Sequence, residues 1–482
     1  MKLHSYLLLA IHVFFASSVA HDSSSVIHGK TVRPAQVKEH DAVLEARSLP
    51  RPAAAMATPS PRDELRVTIT GGAGQIAYAL VLLIVHGRVF GRAQRVQLRL
   101  LDIPACLTAM EGVAMEVRDC HSDLVTEVTV TADPKEAFRG TDVAVLLGGF
   151  PRQPGMERRD LIAKNVPIMA EHGRALSSCA NKGVRVVVIA NPACTNCLVA
   201  SAFARTIPRC QFSSLSRLDH DRLLAMLVSR LSSIGPEEDP GPAGGDRGGG
   251  RGMLGATPGI RGACLWGNHS PTMWPDVSMA EGLTDDGWEP IEQLIGARVS
   301  GDVITRLGSV GAGARKTTEL TSAGTQWVAM HLLPALRSRG TRVMEARGKS
   351  SAMSAANAIS NHLRDWLSSP SAPPEAPGDA GDKSDGSDSG ERRDGRHSAD
   401  QGEERKAARC VSMGVSTDGN TYGVPDGLFF SFPVECSAGR YRIVDGFSPD
   451  QESMRASVQE LMEERREAMD VLEELGFTDY DL

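Results

Sequence analysis

LRVTITGGAGQIAYAL, residues 65–80, decides the fold. Val67, Thr68, Ile69 and Thr70 are β-branched or strand-favouring residues and predict a buried strand. Gly72, Gly74 and Ala77 follow at the spacing of a dinucleotide-binding turn, in which absent or small side chains let a pyrophosphate approach backbone N–H groups at a helix N-terminus. That turn alone is also found as an ordinary connection in other α/β proteins. A second signal joins it: the apolar run Val96 to Leu101 predicts the next strand and ends on Asp102. A carboxylate there is placed to bond the ribose hydroxyls of NAD and to repel the 2′-phosphate of NADP.

Outward from this stretch the chain alternates. Strands are predicted at Val67 to Thr70, Val96 to Leu101, Val128 to Thr131, Val143 to Leu147 and Val184 to Ala190, with helices at Leu107 to Cys120 and Asp160 to Asn181 among the connections. Such alternation builds a doubly wound parallel sheet whose ligands sit beyond the carboxyl ends of its strands. The expected class is α/β: an N-terminal doubly wound Rossmann domain over residues 65–217, then a C-terminal α+β substrate domain over 218–482. Two polar stretches follow predicted strands, GGFPRQPGMERRD after Leu147 and NPACTNC after Ala190.

Composition narrows the class further. With 482 residues, 41% hydrophobic and 23% charged, the chain can bury a sizeable core and hold two domains. A net charge of -7 argues against nucleic acid as a partner. Nine cysteines, odd in number and scattered through apolar stretches, read as reduced core thiols. Cys194 and Cys197 form a C-x-x-C without a second pair, so no metal site is expected, with redox and zinc roles as lesser alternatives.

Residues 1–64 read as a leader outside the fold. Lys2 precedes an apolar run, Tyr6 to Ala16, too short to span a bilayer, and Ser18-Val19-Ala20 suits a signal-peptidase site. A mixed Pro, Ser, Ala and charged segment follows, as in a transit or pro-segment. Secretory-pathway entry is expected, with onward delivery to a plastid compatible; mitochondrial and cytoplasmic destinations stay open. No membrane span is expected in the mature chain.

GGAGQIA, LLDI, PRQPGMERRDL, NPACTNC, SRLDHDR, WGNHS, SSAMSAA and VSMGVSTDGNTYGVP occur in that order. Together they closely resemble the malate dehydrogenases of the cytosolic and plastid type, over about residues 65–475. The resemblance implies reversible hydride transfer between malate and NAD, giving oxaloacetate and NADH within malate metabolism of the tricarboxylic acid cycle, and a homodimer. It implies cofactor contacts from Gly71, Gly72, Ala73, Gly74, Gln75, Ile76, Ala77, Asp102, Asn165, Ile189, Ala190 and Asn191.

A dicarboxylate substrate needs several planar cationic donors, which is arginine's geometry. By resemblance, Arg152 pairs with the distal carboxylate, Arg158 polarises the reacting carbonyl and Arg222 forks onto the C1 carboxylate. Pro151, Pro154 and Gly155 mark the Arg152–Arg158 segment as a loop that could close over a ligand. Asp219 and Arg222 lie three apart on a predicted helix and would share a face. The catalytic imidazole is assigned to His269, because an alcohol proton must leave as hydride moves and histidine titrates near neutrality. Asp219 would orient it. Asn191 would reach nicotinamide and substrate oxygen, while His220 and His362 read as structural.

Three residues depart from the family pattern: Ala190 where glycine is usual, His172 where a glutamine lies near the cofactor, and Cys194 where asparagine is common. Two insertions also stand out, a Gly- and Pro-rich one at 237–259 and an acidic, Ser- and Gly-rich one at 369–406. Both read as flexible surface segments. In the second half, Leu333 to Leu367 predicts a helix broken near Gly340 and Gly348, and Val411 to Ser431 antiparallel strands turning at Asp418-Gly419. The last helix should be capped by Ser448, with Pro449 first and Gln451 completing a capping box. An NADP-linked plastid enzyme, a lactate-type dehydrogenase and a catalytically silent scaffold are the competing readings. Asp102 counts against the first, Arg152 against the second, and the intact His269, Asp219 and arginines against the third.

Overall fold

A computed structural model of the chain describes residues 64–151, 153, 155–232, 259–284, 287–299, 314–368 and 410–480. All of them belong to one unit, Ala57–Leu482. The leader and the two insertions, apart from Glu64 and Gly259 at their edges, lie outside the described residues, as do Arg152 and Pro154.

The first half alternates as its pattern predicts. In order it runs β1 (Glu64–Thr70), α1 (Gln75–Val85), β2 (Arg95–Leu101), α2 (Leu107–Asp119), β3 (Val125–Thr131), α3 (Pro134–Phe138) and β4 (Val143–Leu146). Then come α4 (Arg158–Cys179), β5 (Arg185–Val188), α5 (Ala193–Phe203) and β6 (Phe212–Ser214). β1 pairs in parallel with β2 on one side and β4 on the other; β3 flanks β2, and β5 and β6 extend from β4. Strand order therefore reverses between β1 and β4, which opens a crevice at their carboxyl ends.

The second half contributes α6 (Arg217–Ser232), then short strands β7 (Ile260–Arg261), β8 (Cys264–Trp266), β9 (Trp274–Asp276), β10 (Glu281–Thr284) and β11 (Gly287–Pro290). Helices α7 (Ile291–Val299), α8 (Ala314–Trp327), α9 (Leu333–Arg347) and α10 (Met353–Leu367) follow, with a π-helical turn at Val328–Leu332. Last are β12 (Val411–Ser416), β13 (Phe429–Ser437), β14 (Arg440–Ile443) and α11 (Gln451–Glu474). β12, β13 and β14 are antiparallel and join the parallel sheet where Gly414 lies opposite Ser214, so among the described residues the largest sheet has nine strands. A Cβ on Gly414 would fall 1.9 Å from the Ser214 hydroxyl, which is why the junction takes glycine.

Alternate residues of the central strands feed opposite faces. Val143 and Val145 pack with α1, α2 and α10, whereas Ala144 and Leu146 pack with α4, α5 and α11. Each fully buried Val, Leu or Ile stabilises the fold by about 1.5–3 kcal/mol relative to exposure. Leu223 and Leu227 on α6 organise a separate apolar cluster with Ile291, Leu294 and Ile295.

Three local expectations are corrected. Gly340 does not break its helix; the break falls at Gly348, whose φ of 66° ends α9. A lone glycine costs a helix only about 1 kcal/mol relative to alanine, which tertiary packing overrides. The last helix is capped by Asp450, which accepts from the Ser453 N–H at 2.7 Å, rather than by Ser448. β1 begins at Glu64, three residues before the predicted start at Val67, because Glu64 still pairs with Arg95.

Candidate active site

The glycine turn sits at the crevice between β1 and β4. Gly71 has a φ of 68°, and a Cβ there would lie 2.9 Å from Gly148 at the end of β4. A Cβ on Gly72 would lie 2.8 Å from both Leu100 Cβ and Met110 Sδ. Side chains are therefore excluded from the turn, and its backbone leads directly into α1, whose first turn leaves N–H groups without helical partners around Gln75, Ile76 and Ala77. Asp102 leaves β2 beside it. Its carboxylate accepts from the Ala73 N–H at 3.1 Å and the Ile103 N–H at 2.8 Å. A carboxylate offers about four acceptor positions, so capacity remains for two ribose hydroxyls. A cradle closed to side chains and fronted by a carboxylate fits NAD.

Beyond β4 and β5 the two loops are tied together. Asn165, fully buried on α4, accepts from the Phe150 N–H at 2.7 Å and donates to the Asn191 carbonyl at 3.1 Å. Its amide is committed to these loops. Asn191 itself is exposed, and its peptide bond to Pro192 is cis. Ile189 and Ala190 continue β5, and the Ala190 carbonyl accepts from Asn196 at 2.8 Å.

The charged groups gather beside the start of α5. Asp219, 2% exposed on α6, accepts from His269 Nδ1 and, at 3.1 Å, from Arg222 Nη1. Arg222 Nη2 donates to Ser351 at 3.1 Å. The Asp219 carboxylate holds the His269 imidazole above its ordinary pKa, against burial and the opposing charges of Arg222 and Arg158. Burial would raise Asp219, but His269 and Arg222 outweigh it and hold the carboxyl below the usual range. Nδ1 is occupied, so Nε2 is the ring nitrogen left to meet a substrate.

Arg158 opens α4 and pairs through Nε with Glu464 on α11; its buried Nη2 has no hydrogen-bond partner among the described residues. Glu464 also accepts from Thr195 and from Asn268 at 2.9 Å, next to His269. The contacts thus run unbroken from α4 through α11 to α5 and the histidine loop. Glu464 was not among the residues expected from sequence. The signal for it was a single glutamate in phase with Leu461, Ala468 and Leu472 on the buried stripe of α11.

His172, His220, His362 and the C-x-x-C pair are buried in the packing. His220 bonds Ser412 and His362 bonds Ser213, both at 2.9 Å, and burial pushes each imidazole down to about 3. His172 lies edge-on to Phe138 and is buried, which lowers its imidazole to about 4. Cys194 and Cys197 are buried, and burial pushes the Cys194 thiol up to about 11. Among the described residues no group of acidic, histidine or cysteine side chains is arranged to hold a metal. No described helix is long and apolar enough to cross a membrane.

A Rossmann sheet with an imidazole–carboxylate pair and arginines at its crevice defines a dinucleotide-dependent oxidoreductase. Residues 65–213 match the model of the lactate/malate dehydrogenase NAD-binding domain. Curated relatives include the cytoplasmic malate dehydrogenases of Zea mays, 35% identical over 86% of this chain and 99% of the relative, and of Homo sapiens, 35% identical over 85% and 98%. Among solved structures, the malate dehydrogenase of Naegleria fowleri is 31% identical with a TM-score of 0.62, covering 86% of this chain and 99% of that one. A Trichomonas vaginalis lactate dehydrogenase in complex with NADH and oxamate is 26% identical with a TM-score of 0.63, covering 85% and 99%. The chain belongs to the lactate/malate dehydrogenase family, and its cofactor is NAD.

Proposed function

We propose that this chain is an NAD-dependent malate dehydrogenase that interconverts malate and oxaloacetate, with His269 as the acid/base. The observation that carries the reading is the bond from His269 Nδ1 to buried Asp219, beside Arg222 and within electrostatic reach of Arg158. When bound, NAD supplies the hydride acceptor, and its reduced form the donor. The glycine turn Gly71–Gly74, the N–H groups of Gln75 and Ile76, and Asp102 would hold it.

His269 gives a proton from Nε2 to the carbonyl oxygen in the oxaloacetate direction and takes it back in the other. Asp219 fixes the ring and stabilises the imidazolium. Arg158, whose side chain is 32% exposed, turns its guanidinium to the reacting oxygen, and Arg222, already braced by Asp219 and Ser351, offers its remaining N–H groups to the C1 carboxylate. Arg152 takes the distal carboxylate by family resemblance. Residues 65–217 serve as the NAD-binding half and 218–482 as the substrate-side half. A homodimer is part of the same proposal; Tyr78, Leu82 and Met115 on α1 and α2 are exposed apolar residues suited to a shared face. The leader at 1–64 is proposed to direct entry to the secretory pathway, although the relatives above are named as cytoplasmic.

The test is a purified-protein assay with oxaloacetate and pyruvate, each with NADH and NADPH. Oxaloacetate with NADH is expected to be the preferred pair. A preference for NADPH would overturn the role given to Asp102, and a preference for pyruvate the role given to Arg152.

A further inference from the structure

Glu464 is an acidic side chain only 3% exposed, set into the apolar face of a 24-residue helix. Burying a carboxylate is costly unless donors surround it. Here three donors do so, from three separate segments: Arg158 Nε at the start of α4, the Thr195 hydroxyl in the first turn of α5, and Asn268 Nδ2 at 2.9 Å, one residue before His269. The same loop is clamped again one and two turns earlier on α11, where Glu460 accepts from Thr272 at 2.7 Å and Ser457 accepts from the Asn268 N–H at 2.8 Å. α11 therefore fixes the histidine loop with or without Glu464. Among the described residues, Glu464 is the residue of that helix that bonds the arginine directly, while Glu467 senses it through charge alone.

The arginine is gripped by its inner edge. Arg158 meets Glu464 through Nε; Nη2, on the same edge, is buried without a hydrogen-bond partner among the described residues, while the side chain as a whole is 32% exposed. A guanidinium is planar, so holding Nε against a fixed carboxylate sets the direction in which the outer N–H groups point. We infer that Glu464 is a positioning residue for the reaction: it aims the free end of Arg158 at the substrate oxygen and holds that aim in register with His269 through Asn268. This rests on the reading of Arg158 as the group that polarises the carbonyl. Glu464 touches no substrate atom itself; it acts through Arg158.

The experiment uses the full chain and measures kcat and KM for oxaloacetate reduction, with NADH binding followed separately by fluorescence titration. Glu464→Gln keeps an acceptor for Thr195 or Asn268 but cannot hold the cation by charge. It is expected to lower kcat by on the order of 10- to 100-fold, with NADH binding unchanged. Glu464→Asp, which retains the charge on a shorter arm, should recover part of that loss. In an Arg158→Ala background Glu464→Gln should cost less than about twofold more, because the group it aims is gone. Losses that multiply in the double variant, or a Glu464→Gln kcat within twofold of the parent, would overturn the inference and leave Glu464 a structural anchor. If Glu464→Gln does not fold, Glu464→Asp is read alone: its kcat loss should vanish in the Arg158→Ala background, and a persisting loss overturns the inference. An Arg158→Ala protein with parental kcat would instead remove the functional reading of Arg158 on which this one rests.

Discussion

At the carboxyl ends of β1 and β2 the proposed binding surface is backbone; at the His269 cluster it is side chain. The first is made from a few consecutive residues, Gly71 to Ala77, plus Asp102 at the end of the adjacent strand. The second draws Arg158, Asp219, Arg222, His269, Ser351 and Glu464 from α4, α6, α11 and two loops. The turn works because nothing projects from it: a Cβ at Gly72 has no room between Leu100 and Met110. The cluster works because each charge is held by another, with Asp219 bonded on both oxygens. A backbone site should respond to added bulk mainly in binding, and a side-chain site to lost groups mainly in turnover.

The largest expected effect is in the cluster. His269→Ala removes the proton donor and should lower kcat for oxaloacetate reduction by about 1000-fold, with NADH binding retained by fluorescence titration. Gly72→Ala breaks the other region and should weaken NADH binding by roughly tenfold or more, while kcat at saturating NADH changes little. A reversal of those two patterns would erase the distinction between the regions. Asp102→Ala sharpens the cofactor side: the ratio of kcat/KM for NADH over NADPH should fall by about tenfold, since the repelling carboxylate is gone. The smallest effect is expected from Ser351→Ala, which removes one 3.1 Å brace on Arg222. KM for oxaloacetate should rise about fivefold, in line with the loss of one hydrogen bond of about 1 kcal/mol.

The same contrast explains what the sequence disclosed. The glycine turn, Asp102 and the five expected parallel strands were legible because each depends on a local pattern, hydrophobic alternation or a conformational need of glycine. The pairing of His269 with Asp219 was reached only through the order of motifs, since nothing in their spacing of fifty residues brings them together. Glu464 was hidden because a glutamate on a helix is ordinarily solvated, and only the docking of α11 on α4 and α5 reveals its partners. The continuation of the sheet into β12 was equally silent: it depends on Gly414 meeting Ser214 across distant chain segments. Asp450 displaced Ser448 as the helix cap because the helix begins at Gln451, later than the proline had suggested.

The central claim is that an imidazole whose protonation is governed by Asp219 moves the proton, and the pH dependence of Asp219→Asn tests it most directly. The carboxylate raises the His269 pKa, so in the parent protein the protonated donor persists above the ordinary value near 6.5 and is lost as pH rises through the raised pKa. Replacing Asp219 by an amide removes the main cause of that rise, while burial, Arg222 and Arg158 still oppose protonation. The descending limb of kcat/KM for oxaloacetate reduction should therefore move to lower pH, with activity falling most on the alkaline side. A limb unchanged in position would contradict the account.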